Sequence, residues 1–330
     1  MSFSQYLYSA TWFLPVRILL SFLYRVIITL RNTLYDLGIF KTHRVATQVI
    51  SVGNISVGGS GKTILVQALI EYFSDHKKQS AVLSRGYGRN TKGLLLVADR
   101  SSLKIDPSAA GDEPFLIAQN HPGIPVVVAE DRVRGAQYLV AKFLPDVIIL
   151  DDGFQHRRLH RDLDLLLMDQ PANQKQRLVP WGKLREPLGN IERADLFLYS
   201  KSGMRENDQN NLIFQLDNQV CDHAGNHHEL SGLKGEYGLF AGLGNPNFFF
   251  QSFEQQHYAA HARIAFVDHT QYDSAQKEEI SQISCTYWIT TQKDFIKLDS
   301  EFCQRQNIYY IKVKAKLPET LIRHLKQHFK

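Results

Sequence analysis

Residues 51–63, Ser-Val-Gly-Asn-Ile-Ser-Val-Gly-Gly-Ser-Gly-Lys-Thr, carry the clearest chemistry in the chain. Gly58, Gly59 and Gly61 let successive backbone N–H groups point into one hollow, and Lys62 with the Thr63 hydroxyl can reach a β/γ-phosphate and its Mg²⁺. The pattern G-x-x-x-x-G-K-[ST] places Gly where this chain has Ser56, and Val57 and Ser60 complete the turn. A second constellation, Asp151-Asp152-Gly153-Phe154-Gln155-His156, follows the continuously apolar run 147–150. An apolar strand that delivers Asp at its carboxyl end is the Mg²⁺-holding partner a phosphate loop requires. Arg85-Gly86-Tyr87-Gly88-Arg89 is either a phosphate-gripping loop or a solvated turn. Asp112, in Gly111-Asp112-Glu113-Pro114, reads from the residues alone as a helix cap. Residues 181–187 form a loop with a charged cluster containing Lys183, Arg185 and Glu186.

These groups need elements to hold them. A β-prone run ending at Val52 enters the glycine-rich turn, and residues 64–73 leave it with helical periodicity. Strands are expected over 80–84, 125–129, 147–150, 162–169 and 195–199, separated by helices, which is an α/β pattern with a mostly parallel sheet. Residues 201–235 are rich in Asn, Gln, His and Asp and read as a linker region. Alternating strand and helix signals resume beyond them. The expected division is a membrane-associated helix over 1–40, a P-loop NTPase-like domain over 41–205, a linker over 206–236 and a second, smaller α/β domain over 237–330.

The chain has 330 residues, 44% of them hydrophobic, and a formal net charge of +5. Residues 1–45 carry Arg17, Arg25, Arg31, Lys41 and Arg44 against Asp36 alone, so most of the excess sits at one end. No basic stripe with interleaved aromatics recurs elsewhere, so an anionic lipid surface is expected and nucleic acid is not. Between Trp12 and Leu30 the only charges are Arg17 and Arg25. On a helix Arg17, Arg25 and Arg31 fall within an arc of about 120°. The expectation is an amphipathic helix lying in the membrane interface, with a true span or signal anchor and a buried helix of the soluble core as the alternatives. Cys221, Cys285 and Cys303 have no C-x-x-C partner, which fits a reducing, cytosolic setting without a disulfide framework or zinc site.

A phosphate loop with an acidic strand end indicates a nucleoside triphosphate but not its use. A small-molecule or lipid kinase, a GTPase and a membrane-tethered nucleotide sensor all fit. Guanine selection needs Asn/Thr-Lys-x-Asp, whereas Thr291-Gln292-Lys293-Asp294 has Lys and Asp adjacent. Taken together, the strings at 51–63, 84–89, 111–114, 131–132, 151–156, 184–187, 242–246 (Gly-Leu-Gly-Asn-Pro), 268–272 (Asp-His-Thr-Gln-Tyr) and 291–294 resemble, in order, the motifs of the tetraacyldisaccharide 4′-kinase family. This is the lipid A pathway kinase of Gram-negative bacteria. Ser56 is itself similar to the family's usual residue there.

The resemblance implies an enzyme on the cytosolic face of the inner membrane that moves the γ-phosphoryl of ATP to the 4′-hydroxyl of a tetraacyldisaccharide 1-phosphate. ATP and Mg²⁺ are implied, with no nucleic-acid or protein partner. It also makes Asp112 the general base or positioning carboxylate, assisted by His269 when two domains close. Lys62 and Asp152 are expected to act in catalysis, Thr63 and Asp151 to hold Mg²⁺, and Arg132, His156, Arg185 and Glu186 to line the nucleotide site. Arg85, Tyr87 and Arg89 are expected near the lipid substrate.

Overall fold

The computed structural model describes residues 13–168, 176–200, 209–255, 259–268 and 270–329. In chain order the first elements are α1 (Leu14–Asp36), β1 (Gln48–Asn54), α2 (Lys62–Asp75), β2 (Ser80–Ser84), β3 (Leu95–Ala98), α3 (Pro107–Ala110), α4 (Asp112–Asn120) and β4 (Val126–Val128). There follow α5 (Arg132–Phe143), β5 (Val147–Asp151), β6 (Leu163–Met168), β7 (Leu196–Tyr199), β8 (Ile213–Cys221), β9 (His227–Glu229), β10 (Tyr237–Ala241) and α6 (Pro246–Glu254). The last are β11 (Ala262–Ala265), α7 (Ser274–Ser281), β12 (Tyr287–Thr291), α8 (Gln292–Phe295), α9 (Ser300–Arg305), β13 (Ile308–Lys316) and α10 (Glu319–His328).

The chain divides into two units, each drawn from separate stretches. The first comprises the described residues of Met1–Arg85, Ala129–Leu212 and Leu317–Lys330, and the second those of Gly86–Val128 and Ile213–Lys316. In the first unit five parallel strands run in the order β2-β5-β1-β6-β7. Every residue of β5 and of β6 is buried, as a parallel strand covered on both faces requires. Helix α2 buries Leu65, Val66, Leu69, Ile70 and Phe73, the apolar positions that made its helical reading possible. The carboxyl-terminal helix returns here, with the Gln48 amide donating to His328 O at 2.7 Å and Phe329 meeting Phe73 edge-on.

Helix α1 is built with its polar stripe inward. Pro15 sits in its first turn, where a missing N–H is tolerated, and the chain leaves it through Gly38 at φ +71°. Ser21, Ile28 and Asn32 are buried, whereas Leu19, Phe22, Leu23, Val26, Ile27 (63% exposed) and Leu30 face outward. Arg17 donates to Pro180 O and Trp181 O, Ser21 to Leu178 O, Tyr24 to Arg185 O at 2.8 Å and Asn32 to Glu186 Oε2 at 2.9 Å. The basic arc is therefore corrected: Arg17 and Arg31 are turned toward the protein and only Arg25 is exposed. Among the described residues no helix is long and apolar enough to cross a membrane. Trp12 lies outside the described residues.

The second unit holds a six-stranded sheet in the order β11-β10-β12-β13-β8-β9. Strands β10 to β13 pair in parallel, and β8 and β9 join antiparallel. Its core is aromatic: Tyr237, Phe249, Phe250 and Phe253 pack on one cluster, Phe240, Tyr272 and Trp288 on another. Strands β3 and β4 form an antiparallel ladder in the same unit, with α3 and α4 between them in the chain. The stretch expected as a linker, 206–236, instead contains β8 and β9. Strand β8 alternates exposed and part-buried positions, so its Gln and Asn residues stand where solvent reaches them and mask its strand character. The expected boundaries also differ from the observed units, because residues 86–128 group with 213–316.

Glu186 is the buried anchor of α1. Its carboxylate is 0% exposed and accepts from Arg193 at 2.6 Å, Asn190 at 2.8 Å and Asn32, with Arg31 at 3.5 Å. Removing one partner of a buried ion pair strands the others, so Glu186→Ala should lower the unfolding free energy by about 3–5 kcal/mol in urea titration. Arg25→Ala, on the exposed face, should change it by less than about 0.5 kcal/mol. Equal effects would show that the α1 anchor contributes nothing.

Candidate active site

The site in the first unit follows from one register. Strands β1 and β5 pair with Val52 opposite Asp151, so the turn leaving β1 and the acidic turn leaving β5 emerge side by side. Gly153 N donates to Val52 O across the two exits. A Cβ on Gly53 would stand 2.4 Å from the Phe154 Cβ, which explains a glycine at that position. The turn enters α2 through Gly61 at φ +85°, a left-handed residue that makes no side-chain cap. The first-turn N–H groups of α2 thus present the helix's positive end without a capping oxygen, which is the local requirement for an anion site.

The turn is closed on its other flanks by polar contacts. Asn54 Nδ2 donates to Ser60 Oγ at 3.1 Å, and Gln155 Nε2 donates to Asn54 O at 2.9 Å. Ser56 and Leu184 form an antiparallel bridge, with Val57 N donating to Lys183 O and Arg185 N to Ile55 O, each at 2.7 Å. The segment 183–186 therefore acts as a strap, laddered to the glycine-rich turn on one edge and bonded to α1 through Tyr24 and Asn32 on the other.

Asp152 is the hub. Its carboxylate accepts from Arg185 Nη1 at 2.8 and 3.0 Å and lies 3.4 Å from Lys62 Nζ. Burial pushes its carboxyl up, but the charges of Lys62 and Arg185 outweigh that, and the net shift is downward. The residue is held at φ +53°, in the left-handed region. Asp151 is buried and accepts from Ser84 Oγ at 3.1 Å. Arg132, also buried, donates to Ala129 O and Glu130 O, and burial, then the Arg85 charge, lowers its guanidinium to about 10, still cationic at neutral pH. Burial, then the nearby Arg132 charge, lowers His156 to about 4, so its imidazole is neutral across the physiological range.

The first unit thus brings together Ser56 to Thr63, Asp151, Asp152, Arg132, His156 and Arg185, with Arg85 exposed at the end of β2. Glu186 is next to Arg185 in the strap, and its carboxylate is bonded to Asn32 of α1, Asn190 and Arg193. Tyr87, Arg89 and Asp112 belong to the second unit. There Tyr87 is 75% exposed, Arg89 donates to Gly93 O, and Gly111, at φ +90°, packs against Tyr87 O. Asp112 opens α4 and pairs with Lys297 at 3.2 Å, while Lys293 lies 3.4 Å from Asp268 and 4.0 Å from Glu113. His269 lies outside the described residues, and the segment leading to it shares a unit with Asp112. Sequence reasoning missed Ser84, Asn54, Gln155 and the strap ladder. Asn54 and Ser60 stood inside the motif, but a side-chain bond across the turn leaves no periodic trace.

A sequence model of the tetraacyldisaccharide-1-P 4′-kinase family matches residues 12–330. The chain is 40% identical over 303 residues to a tetraacyldisaccharide 4′-kinase of Aquifex aeolicus, covering 90% of this chain and 92% of the relative. It is 37% identical over 295 residues to one of Chlorobaculum parvum, covering 84% and 82%. Among solved structures it is similar to an "apo" form LpxK from Aquifex aeolicus in complex with ATP, with a TM-score of 0.79 at 35% identity over 95% of this chain and 98% of that one.

The neutral state of His156 has a pH signature. Its folded value, about 4, lies below the roughly 6.5 of an unfolded histidine, so the neutral side chain's contribution is complete above about 6.5 and is lost as pH falls toward 4. Wild-type stability should therefore decline between pH 7 and 4.5 more steeply than that of His156→Gln. Parallel declines in denaturation curves, or an NMR titration of His156 near 6.5, would contradict this placement.

Proposed function

The chain belongs to the tetraacyldisaccharide-1-P 4′-kinase family, and from that membership we propose that it transfers the γ-phosphoryl of ATP to the 4′-hydroxyl of a tetraacyldisaccharide 1-phosphate in lipid A biosynthesis. The observation that carries the chemistry is the Lys62–Asp152–Arg185 arrangement at the open N-terminus of α2. We read the glycine-rich turn as a P-loop in a P-loop NTPase-like unit. Its N–H groups would cradle the β-phosphate, and Lys62 would meet charge that develops between the β- and γ-phosphoryl groups. Arg185 and Arg132 add fixed positive charge on the same side.

Thr63, at the start of α2, and Asp151, buried at the end of β5, fit the oxygen-donor set of a Mg²⁺ that takes its remaining ligands from phosphate and water. Mg²⁺ held by these residues would supply positive charge to offset that of the phosphates. Asp112 is the carboxylate we assign to the sugar hydroxyl, accepting its proton as the oxygen attacks phosphorus. Tyr87, exposed beside Gly111, and Arg89 are the residues we assign to the phosphorylated head group.

An acylated substrate lies in a bilayer, and α1 offers a matching surface. Its outward face from Leu19 to Leu30 is apolar, while its polar side is consumed by bonds to residues 178–186. We propose that this face embeds in the cytoplasmic leaflet of the inner membrane. Apolar insertion, more than the helix's arginines, then supplies the affinity, since of the three on α1 only Arg25 is exposed.

Purified protein given radiolabelled ATP, Mg²⁺ and lipid A precursors should yield phosphorylated disaccharide and release no phosphate without lipid. Lys62→Ala should lower turnover by roughly 10²-fold or more with the fold intact. Near-normal activity of that variant at saturating Mg-ATP would end the P-loop assignment. For the membrane surface, Leu19→Glu combined with Leu23→Glu and Ile27→Glu should abolish sedimentation with liposomes, whereas high salt should leave the wild type largely bound. Complete release of the wild type by salt would exclude an inserted apolar face.

A further inference from the structure

The motif 291–294, with the turn that follows it, brackets the acidic start of α4. Asp294, fully buried, accepts from Gly242 N at 3.1 Å and Thr291 Oγ1 at 2.7 Å, which fixes α8 against the exit of β10. The helical turn continues past α8, with Ile296 N bonded to Gln292 O and Lys297 N to Asp294 O. Lys293 and Lys297 therefore stand one turn apart on one face. That face meets α4 at three points. Gln292 and Asn120 exchange reciprocal amide bonds of 2.8 Å, Lys293 reaches Glu113 and Asp268, and Lys297 reaches Asp112.

The Lys297 side chain is only 3% exposed, less than any other lysine that pairs with a carboxylate among the described residues. A buried ammonium is costly without an ion partner, and Asp112 is the carboxylate in reach. Glu113 follows Asp112 in the first turn of α4, with Lys293 between Glu113 and Asp268, and a like-charged neighbour favours a protonated carboxyl. On the other side the turn carrying Tyr87 and Arg89 packs against Gly111. A protonated Asp112 could not accept the proton of an attacking hydroxyl.

We propose that Lys297 is a positioning residue for the reaction: it fixes the Asp112 carboxylate at the start of α4 and keeps it ionised against the surrounding acids. Lys297 is too buried to grip substrate phosphate, so it acts through Asp112. This inference rests on the reading of Asp112 as the group that accepts the hydroxyl proton.

The test compares the pH dependence of kcat from pH 4 to 8.5 for the wild type, Lys297→Met, Lys297→Arg and Asp112→Asn, using lipid acceptor and saturating Mg-ATP. Losing an adjacent cation raises a carboxyl's pKa by about 1 unit or more. Lys297→Met should therefore move the acidic limb upward by that amount, so that its loss of kcat grows as pH falls and is small at pH 8, with the KM for ATP unchanged. Lys297→Arg should keep the wild-type limb. The folded fraction of each variant, read by circular dichroism at every pH, corrects kcat so that acid unfolding of a less stable variant does not pass for a shifted limb. A Lys297→Met limb that coincides with the wild type, or equal shifts in the Met and Arg variants, would overturn the proposal. Wild-type kcat in Asp112→Asn would overturn the reading of Asp112 beneath it, whereas an inactive Asp112→Asn with an unshifted Lys297→Met would remove Lys297 alone.

Discussion

Much of the first unit hangs on the pairing of Asp152 with two cations. The carboxylate joins the start of α2 through Lys62, the exit of β5 through its own backbone and the strap through Arg185, segments that lie from 33 to 123 residues apart in the chain. Charge-assisted bonds of this kind contribute about 1.5–3 kcal/mol each, enough to hold Asp152 in a left-handed conformation that costs about 1–3 kcal/mol. With Arg185 so fixed, its backbone can ladder to Ile55 and accept from Tyr24. The polar face of α1 and the glycine-rich turn are thereby two edges of one strap.

That arrangement explains what the sequence made legible at the amino terminus and what it did not. The spacing of Arg17, Arg25 and Arg31 defines an arc whichever way the helix faces. Periodicity gives a stripe but not its direction, because direction depends on what the rest of the chain supplies. Here it supplies carbonyls from 178, 180, 181 and 185 and the Glu186 carboxylate, over 150 residues away, so the polar stripe turns inward and Leu19 to Leu30 are left outside. Glu186 was visible as part of a charged cluster, but only its partners assign it to α1.

The strand, turn and helix around Lys62 and the apolar run before Asp151 were legible because each is local: glycines, a fixed Lys-Thr pair and an unbroken buried strand are written in consecutive residues. Long-range pairing was not. Strand β8 has solvent on much of its surface and reads as polar chain until β13 is placed beside it. The grouping of 86–128 with 213–316 rests on contacts such as Asn120 with Gln292 and Asp112 with Lys297, separated by more than 170 residues. For the same reason Thr291-Gln292-Lys293-Asp294 looked like a failed nucleotide motif and not like a bracket.

The two lysine–carboxylate pairs differ in a way that suits different tasks. Lys62 lies 3.4 Å from Asp152 with its side chain 11% exposed, and Asp152 keeps a second cation in Arg185, whose Nη1 reaches both carboxylate oxygens. An anion that drew Lys62 away would therefore leave Asp152 paired, since Arg185 still meets both of its oxygens. Lys297 lies 3.2 Å from Asp112 in a nearly closed environment, and withdrawing it would strand a buried ammonium. The first pair is arranged to exchange partners with a ligand and the second to persist, and it is the difference in burial and in the count of cations around each carboxylate that separates them.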